Sequence, residues 1–171
     1  QNTTNYFLNR NSYSKHHSTG LRMVSKLLPK NSSVLDLGTG AGHFLLYAKR
    51  KNPKWHVTGS DIQSRVLNFT YKDKIKIRKL NFIEDNLGVN KYNLITAWEV
   101  IEHVPFDEFE RLLDKIYKAL KPQGIFLFST PDFDSPLTQC FDFYVACPPQ
   151  HPIVFSKSWM RYYFSKSNKF K

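Results

Sequence analysis

The chain has 171 residues, of which 41% are hydrophobic and 15% aromatic, a composition typical of one globular domain and not of a disordered segment. No apolar stretch reaches the roughly 20 residues that a membrane-spanning helix needs, and the first thirty residues lack the apolar core of a secretory signal. The formal net charge of +11 is uneven, because no acidic residue precedes Asp36 or follows Asp142. Such basic ends could attract phosphate or nucleic acid, or they could simply be a solvated surface.

The two cysteines, Cys140 and Cys147, lie outside any CxxC pattern and indicate neither a redox pair nor a structural zinc site. A reduced, cytoplasmic setting is therefore expected. The pattern predicts a single domain over residues 1–171. It would comprise a leading helical segment over 1–32, a core of strands and helices over 33–130, and a loop with a last helix over 131–171.

Strands and helices alternate along the chain. Helical periodicity predicts a leading helix over Gly20–Leu28, shorter helices over Ala41–Lys51 and Ile62–Phe69, and an amphipathic helix over Phe106–Leu120. Runs rich in β-branched and aromatic residues predict five strands, at Ser33–Leu37, Trp55–Ser60, Ile75–Leu80, Tyr92–Trp98 and Gly124–Ser129. This alternation predicts an α/β fold: a doubly wound, Rossmann-like and mostly parallel sheet with helices on both faces.

The segment Pro131–Pro152 breaks the alternation, being rich in proline and aromatic residues without a clear period. It is expected to be a long ordered loop. Loops of this length in compact domains often serve as lids or binding elements. Its aromatic residues are equally well explained as ordinary packing residues.

A glycine-rich loop joins the first predicted strand to a helix, with Gly38, Gly40 and Gly42 at alternate positions. Glycines there let the backbone approach a ligand at the carboxyl end of a strand, where open α/β sheets bind ligands. A dinucleotide fits poorly, because the GxGxxG pattern fails at His43 and the Asp36 carboxylate would repel a pyrophosphate. The same carboxylate suits S-adenosylmethionine, whose sulfonium and α-amino group are positive.

Two further strand ends bear polar or aromatic side chains that suit a nucleoside. Asp61 ends the second strand, where a carboxylate can accept hydrogen bonds from the two ribose hydroxyls. Dinucleotide-binding proteins share that feature, so it does not distinguish the two ligands. After the third strand, the amide of Asn81 and the ring of Phe82 could border the edge and face of an adenine.

The stretches VLDLGTGAG, GSDIQ, AWEVIEHV and LKPQGIFLFSTPD, in this order and spacing, resemble the class I S-adenosylmethionine-dependent methyltransferases. The resemblance covers residues 33–164 and is greatest to the subgroup that includes the ubiquinone-biosynthesis O-methyltransferases. It implies that residues 33–130 bind the methyl donor and that 131–171 contribute to the acceptor side. It also implies a set of donor-binding residues: Asp36, Gly38, Thr39, Gly40, Gly42, Asp61, Ile62, Asn81, Phe82 and Glu99.

The sequence departs from that family at two places. Asn81 stands where the family commonly has an acid. The family's sheet also continues after the last helix with an antiparallel pair of strands, and we expect the sequence, which ends at Lys171, to be truncated before that pair. The fifth strand would then be an exposed apolar edge, which soluble proteins normally cover. We therefore expect that further residues, or a partner chain, cover this edge, and we favour further residues.

The stretch AWEVIEHVP concentrates acidic and basic side chains after the fourth strand. His103 and, after the fifth strand, His151 are candidate catalytic bases, because imidazole titrates near neutrality. If Glu99 to His103 form one helical turn, then Glu99, Glu102 and His103 share a face and could bind Mg²⁺ together with His151. Similar clusters bind metal in ubiquinone-type and small-RNA 2′-O-methyltransferases. Two alternatives remain open. In one, Glu99 lies near the donor and His103 or His151 is the base, without a metal; in the other, Glu102 and His103 cap the turn before the helix that starts at Pro105.

The leading hypothesis is methyl transfer to a small-molecule acceptor, at an oxygen of a metabolite, lipid precursor or sugar derivative. One alternative is an RNA 2′-O-methyltransferase that uses a divalent metal, indicated by the basic ends and the ExxEH cluster. Another is a non-catalytic S-adenosylmethionine-binding module. The sequence identifies neither the acceptor nor the oligomeric state.

Overall fold

A computed structural model of the protein describes residues 15–63, 75–136 and 152–170. In this part of the chain the helices are α1 (Lys15–Val24), α2 (His43–Lys51), α3 (Phe106–Ala119) and α4 (Lys157–Lys166). The strands are β1 (Ser33–Leu37), β2 (His56–Asp61), β3 (Lys76–Lys79), β4 (Tyr92–Trp98) and β5 (Leu120–Ser129). None of these helices combines the length and apolar character that crossing a lipid bilayer requires.

The described strands form one sheet in the order β3-β2-β1-β4-β5, and every neighbouring pair is parallel. From β1 the chain winds outward in one direction through β2 and β3, and then returns to place β4 and β5 on the other side. The carboxyl ends of β1 and β4 therefore flank the switch point at which open α/β sheets bind ligands. This architecture confirms the predicted doubly wound, Rossmann-like fold.

Two apolar clusters cover the two faces of the sheet. Residues of α1 and α2 pack on one face, around Val34, Val57 and Leu94. Residues of α3 and α4 pack on the other face, around Leu35 and Ile95. Neighbouring strand residues such as Val34 and Leu35 belong to opposite clusters because side chains alternate along a strand. The helices thus lie on both faces, as predicted.

Local sequence signals account for the bounds of the best-predicted helix. α3 begins after Pro105, and its first turn carries Asp107 and Glu108, whose charges complement the positive end of the helix dipole. Its buried residues recur at spacings of three and four: Phe109, Leu112, Leu113, Ile116 and Ala119. Predicted as Phe106–Leu120, the helix extends to Ala119, so the periodicity placed it almost correctly.

Other boundaries differ from the prediction. α1 covers Lys15–Val24, so the predicted span Gly20–Leu28 was placed too late; Leu27, near the end of the predicted span, is 72% exposed. β5 begins at Leu120 instead of Gly124, through an irregular stretch that includes a left-handed Gln123. The predicted helix Ile62–Phe69 and the loop Pro131–Pro152 lie largely outside the described residues.

Candidate functional site

The glycine loop after β1 has a backbone that only glycine adopts readily. Gly38, Gly40 and Gly42 all have positive φ angles, of 61°, 50° and 75°. A β-carbon on Gly38 would lie 2.6 Å from Cγ2 of Val100, whereas one on Gly40 would meet no atom of the described residues within 4 Å. The loop is therefore packed against the chain after β4 at its first glycine and has no such neighbour in the described part of the chain at its second. A ligand can approach the backbone at Gly40.

The same loop is fastened to the end of β2. The Thr39 amide donates a hydrogen bond of 2.9 Å to the Ser60 carbonyl. At Gly59 a β-carbon would lie 2.6 Å from Cγ2 of Thr39 and 2.8 Å from Cδ1 of Leu45, so only glycine allows this approach. Close contact with β2 therefore fixes the position of the loop.

Asp36 lies beneath the glycine loop and is 2% exposed. Its carboxylate accepts a hydrogen bond of 2.7 Å from the Thr39 hydroxyl and one of 2.6 Å from the Thr96 hydroxyl. Burial raises the pKa of Asp36 to about 7, the two hydroxyls oppose this rise, and the charge of Asp61 adds to it. Asp36 is therefore a buried carboxyl group, and two threonine hydroxyls hold its oxygens in place.

Asp61 connects the ends of β1 and β2. One of its carboxylate oxygens accepts the Gly40 amide at 3.0 Å, and the other accepts the Gln63 amide at 2.9 Å. Each carboxylate oxygen can accept a second hydrogen bond. Asp61 therefore orders the loop and retains acceptor capacity, while its neighbour Ile62 is exposed.

The residues after β3 form a compact turn. The side-chain oxygen of Asn81 accepts a hydrogen bond of 3.1 Å from the backbone amide of Ile83. The backbone amide of Asn81 donates a hydrogen bond of 2.9 Å to the Asp85 carboxylate. Phe82 is half-buried and packs against the apolar cluster under α3. Asn81 thus shapes this turn with its oxygen.

Glu99 follows β4 in a left-handed conformation, with a φ of 53°. Its amide donates to the Ser129 carbonyl at 3.1 Å, and its carboxylate accepts the Ser129 hydroxyl at 2.6 Å. The unusual backbone is therefore held by two bonds to the end of β5. The Glu99 side chain remains exposed at the carboxyl edge of the sheet.

The next acidic residue, Glu102, is in a different environment. It is 2% exposed, and its Oε2 atom has no hydrogen-bond partner within the described residues; the buried hydroxyl of Thr130 is also unpartnered there. Burial raises the pKa of the Glu102 carboxyl, and the charge of Glu99 raises it further. His103 and the nearby Thr130 hydroxyl oppose this rise, although that hydroxyl makes no hydrogen bond of normal geometry.

The expected helical turn from Glu99 to His103 is wrong. A 3-10 helix covers only Ile101–His103, because the left-handed Glu99 breaks the helix before it starts. As a result, Glu102 is buried while His103 is exposed, and the two do not share an open face with Glu99. No group of three His, Cys, Asp or Glu side chains within 15–63, 75–136 and 152–170 is arranged to hold a metal ion. His151, the fourth predicted ligand, lies outside the described residues.

The alternative in which Glu102 and His103 cap the turn before Pro105 stays a hypothesis. The N-cap of α3 is Pro105, whose side chain makes no capping hydrogen bond. The His103 amide donates to the Val100 carbonyl within the 3-10 helix, so the backbone of His103 takes part in the turn that precedes α3.

Sequence reasoning missed one contributor to the site and one histidine packed in the apolar cluster beneath α1 and α2. Thr96, in the middle of β4, bonds to Asp36, and strand alternation together with parallel register could have indicated that pair. His17 of α1 places its ring 5.0 Å from that of Trp98 and 5.5 Å from that of Phe44. Burial lowers the pKa of His17 to about 4. No sequence pattern indicated this cluster.

Residues 11–168 match the family described as "Methyltransferase domain". A phosphoethanolamine N-methyltransferase of Plasmodium falciparum is 30% identical over 122 residues, covering 66% of this chain and 46% of that protein. A carboxy-S-adenosyl-L-methionine synthase of Campylobacter jejuni is 30% identical over 112 residues, covering 63% of this chain and 47% of that protein. The chain thus spans about half the length of these curated relatives.

Solved structures share the fold. A SAM-dependent methyltransferase from Archaeoglobus fulgidus matches with a TM-score of 0.70 at 20% identity, over 94% of this chain and 72% of that one. A coclaurine N-methyltransferase bound to N-methylheliamine and SAH matches with a TM-score of 0.68 at 17% identity, over 92% of this chain and 55% of that one. Together with the family match over most of the sequence, the glycine loop and the sheet order place this chain in the class I S-adenosylmethionine-dependent methyltransferase family.

Proposed function

We propose that the protein transfers the methyl group of S-adenosylmethionine to a small-molecule acceptor, with oxygen as the receiving atom. The observation that carries this proposal is the open backbone at Gly40, at the switch point of the sheet, between the buried Asp36 and Asp61. Two carboxylates on either side of a ligand-accessible loop favour a positively charged ligand with ribose hydroxyls over a pyrophosphate.

The residues present fit this donor. The space beside Gly40 admits a ligand to the loop backbone, and Asp61 retains lone pairs for the ribose hydroxyls. Asn81 and Phe82 would border the adenine, and the exposed Glu99 would face the methionyl end. The donor supplies an electrophilic methyl group. The chain itself has to bind the donor, align the acceptor and accept a proton.

The acceptor side is assigned to the chain after β4. For a hydroxyl acceptor, a new carbon–oxygen bond forms as the methyl carbon–sulfur bond breaks, and the hydroxyl proton must be removed. His103 is exposed at this edge, and we assign it as the general base. His151 remains a second predicted base outside the described residues. No magnesium ion is part of this proposal, because no described group of side chains fits one.

Calorimetric titration with S-adenosylmethionine tests the donor site. We expect binding by the wild-type chain and at least about tenfold weaker binding by Asp61→Asn, which loses charge and acceptor capacity at the ribose. Asp107→Asn, the same change at an exposed position in the first turn of α3, is the matched control and should bind normally. Absence of donor binding by the folded wild-type chain would refute the proposal.

A second candidate is methyl transfer to nitrogen. It is favoured by the 30% identity to a phosphoethanolamine N-methyltransferase. Radiolabelled donor with matched hydroxyl and amine acceptors distinguishes the two. His103→Ala should slow transfer to a hydroxyl by about 100-fold or more, because that acceptor depends on a base. Transfer to an amine that is already deprotonated should change much less.

A further inference from the structure

We propose, resting on the donor-binding function above, that Thr96 is a positioning residue: its hydroxyl keeps the Asp36 carboxylate ionised and oriented for the positive charge of the methyl donor. The hydrogen bond described for the Thr96 side chain goes to Asp36, so Thr96 acts through that carboxylate.

Register and alternation bring the pair together. Asp36 of β1 and Thr96 of β4 are direct partners in the parallel ladder. Val34 and Leu94, two residues earlier on each strand, belong to the cluster beneath α1 and α2, so Asp36 and Thr96 share that face. Thr96 is fully buried. A hydroxyl in this position needs an internal hydrogen-bond partner, and the carboxylate supplies one.

The bond is short and directed at an ionised group. The Thr96 hydroxyl donates to Oδ1 of Asp36 at 2.6 Å, while the Thr39 hydroxyl donates to Oδ2 at 2.7 Å. Hydrogen bonds to a carboxylate are stronger than those to a neutral carboxyl. Each hydroxyl therefore favours the ionised form, and the two together fix the plane of the carboxylate.

Few other groups support that charge. The titratable or charged residues on the described elements around Asp36 are Asp61 and His56 on β2, Tyr92 at the far end of β4, Glu99 beyond β4, His43, Tyr47, Lys49, Arg50 and Lys51 on α2, and Lys15, His16, His17 and Arg22 on α1. Asp61 opposes ionisation, and burial lowers the pKa of His43, which favours its neutral form. The two threonine hydroxyls are thus the groups identified as stabilising the charge.

Donor binding should therefore depend on pH. Burial raises the pKa of Asp36 to about 7, so the carboxylate is lost as pH falls through neutrality. A cationic donor binds the ionised form more tightly, so affinity should decline below about pH 7. Removing the Thr96 hydroxyl should raise the pKa of Asp36 further and move this decline to higher pH.

The test is calorimetric titration with S-adenosylmethionine from pH 6 to pH 9, using wild type, Thr96→Val and Thr96→Ser. Valine keeps the shape of threonine without the hydroxyl, and serine restores the hydroxyl. We expect Thr96→Val to bind about tenfold more weakly at pH 7, with the decline moved up by about one pH unit, and to approach wild type at pH 9. Thr96→Ser should regain most of the loss.

Thr58→Val on β2 is the matched control, because the hydrogen bonds described for the Asp36 carboxylate come from Thr39 and Thr96 and not from Thr58. It should leave the pH profile unchanged. A Thr96→Val variant weaker by the same factor at every pH would have only a structural defect, and that outcome overturns the inference, as would unchanged binding. Wild type that binds no donor at any pH would overturn the proposed function, and this inference with it.

A measurement on wild type alone covers the case in which Thr96→Val does not fold. Between pH 6 and 7 the α-amino group of the donor, with an ordinary pKa near about 8, is already protonated. Net proton release on binding in this range, obtained by titrating in buffers of different ionisation enthalpy, would then come from the protein. We expect release of about half a proton near pH 7; zero release contradicts the inference.

Discussion

The proposed donor side, at the ends of β1 and β2, and the proposed acceptor side, at the ends of β4 and β5, differ in how far their polar groups are paired within the described chain. At the ends of β1 and β2, both oxygens of Asp36 and both of Asp61 accept hydrogen bonds. At the ends of β4 and β5, Oε2 of Glu102 and the Thr130 hydroxyl have no partner among the described residues, although both are buried.

The difference indicates that the groups at the ends of β1 and β2 are held in place before a ligand binds, whereas, within the described chain, those at the ends of β4 and β5 are free to contact one. A binding site whose own groups hold its loops in place loses little entropy when the ligand arrives. Unpartnered buried polar groups are costly and are candidates for contact with something else. The proposed donor side therefore has its geometry built in, whereas the proposed acceptor side has polar groups without a partner among the described residues. Substitutions on the two sides should separate them, with the largest effect at Gly38.

Gly38→Ala should disrupt the donor side most. Its β-carbon would lie 2.6 Å from Val100, at a φ of 61°, and we expect donor binding to weaken by more than about 100-fold with a loss of stability of about 2–3 kcal/mol. Calorimetry and urea unfolding measure both. Gly88→Ala is the control, since it also has a positive φ but its nearest neighbour is the flexible end of Lys91. Equal effects at both glycines would mean that backbone strain alone, and not the loop geometry, is responsible.

Asp36→Asn should separate stability from donor binding. Because the pKa of Asp36 is raised to about 7 in the folded state, the folded chain keeps a proton that the unfolded chain releases above about pH 4. The free energy of unfolding should therefore fall as pH rises from about 4 to 7. We expect the variant to be more stable at pH 8, by on the order of 2 kcal/mol, yet to bind the donor at least about tenfold more weakly. Denaturant unfolding and calorimetry at pH 8 provide the two values. A variant that is both less stable and fully competent in donor binding would contradict this reading.

Glu102→Gln should affect the acceptor side and leave the donor side intact. Burial raises the pKa of Glu102, so its charge costs stability at high pH, and the neutral amide should add about 1 kcal/mol at pH 8. Donor affinity should stay within about twofold of wild type, because no described bond joins Glu102 to the glycine loop. Unfolding curves at pH 8 and donor titration check this. A large loss of donor affinity would show that the two sides are not independent.

His17→Phe should have the smallest effect. Burial lowers the pKa of His17 to about 4, so the folded state favours the neutral ring. The stability that the neutral ring contributes is fully present above about pH 6.5 and is lost as pH falls toward 4. Phenylalanine keeps a ring against Phe44 and Trp98 without titrating. We therefore expect the variant to lose less stability than wild type between pH 7 and pH 5. Parallel decline of both proteins would assign the acid sensitivity to other groups.

The fold could be predicted from the sequence because its signals are local. Ser33–Leu37 and Tyr92–Trp98 were placed without error, since short β-branched runs between polar turns mark strands clearly. α1 was misplaced because its buried Leu21 and Val24 continue into Leu27, an apolar residue that faces solvent. Periodicity does not tell a buried leucine from an exposed one.

The candidate site could be predicted only at positions where the residue type by itself indicates the role. The three glycines and Asp61 indicated a ligand loop because only glycine adopts such a backbone and a carboxylate suits ribose. The arrangement of Glu99, Glu102 and His103 could not be predicted, because it depends on one left-handed residue. That conformation is rare for glutamate, and it is held by contacts with Ser129, thirty residues away in sequence.

The two bonds between Glu99 and Ser129 also join the outermost described strand to the site. Glu99 takes its backbone and its side-chain direction from the end of β5, so displacement of that strand would shift the carboxylate by a similar amount. Whatever packs along the outer edge of β5 would therefore set how rigidly Glu99 is held. Through these two bonds, the position of β5 determines how accurately the Glu99 carboxylate is placed, although no residue of β5 needs to contact a substrate.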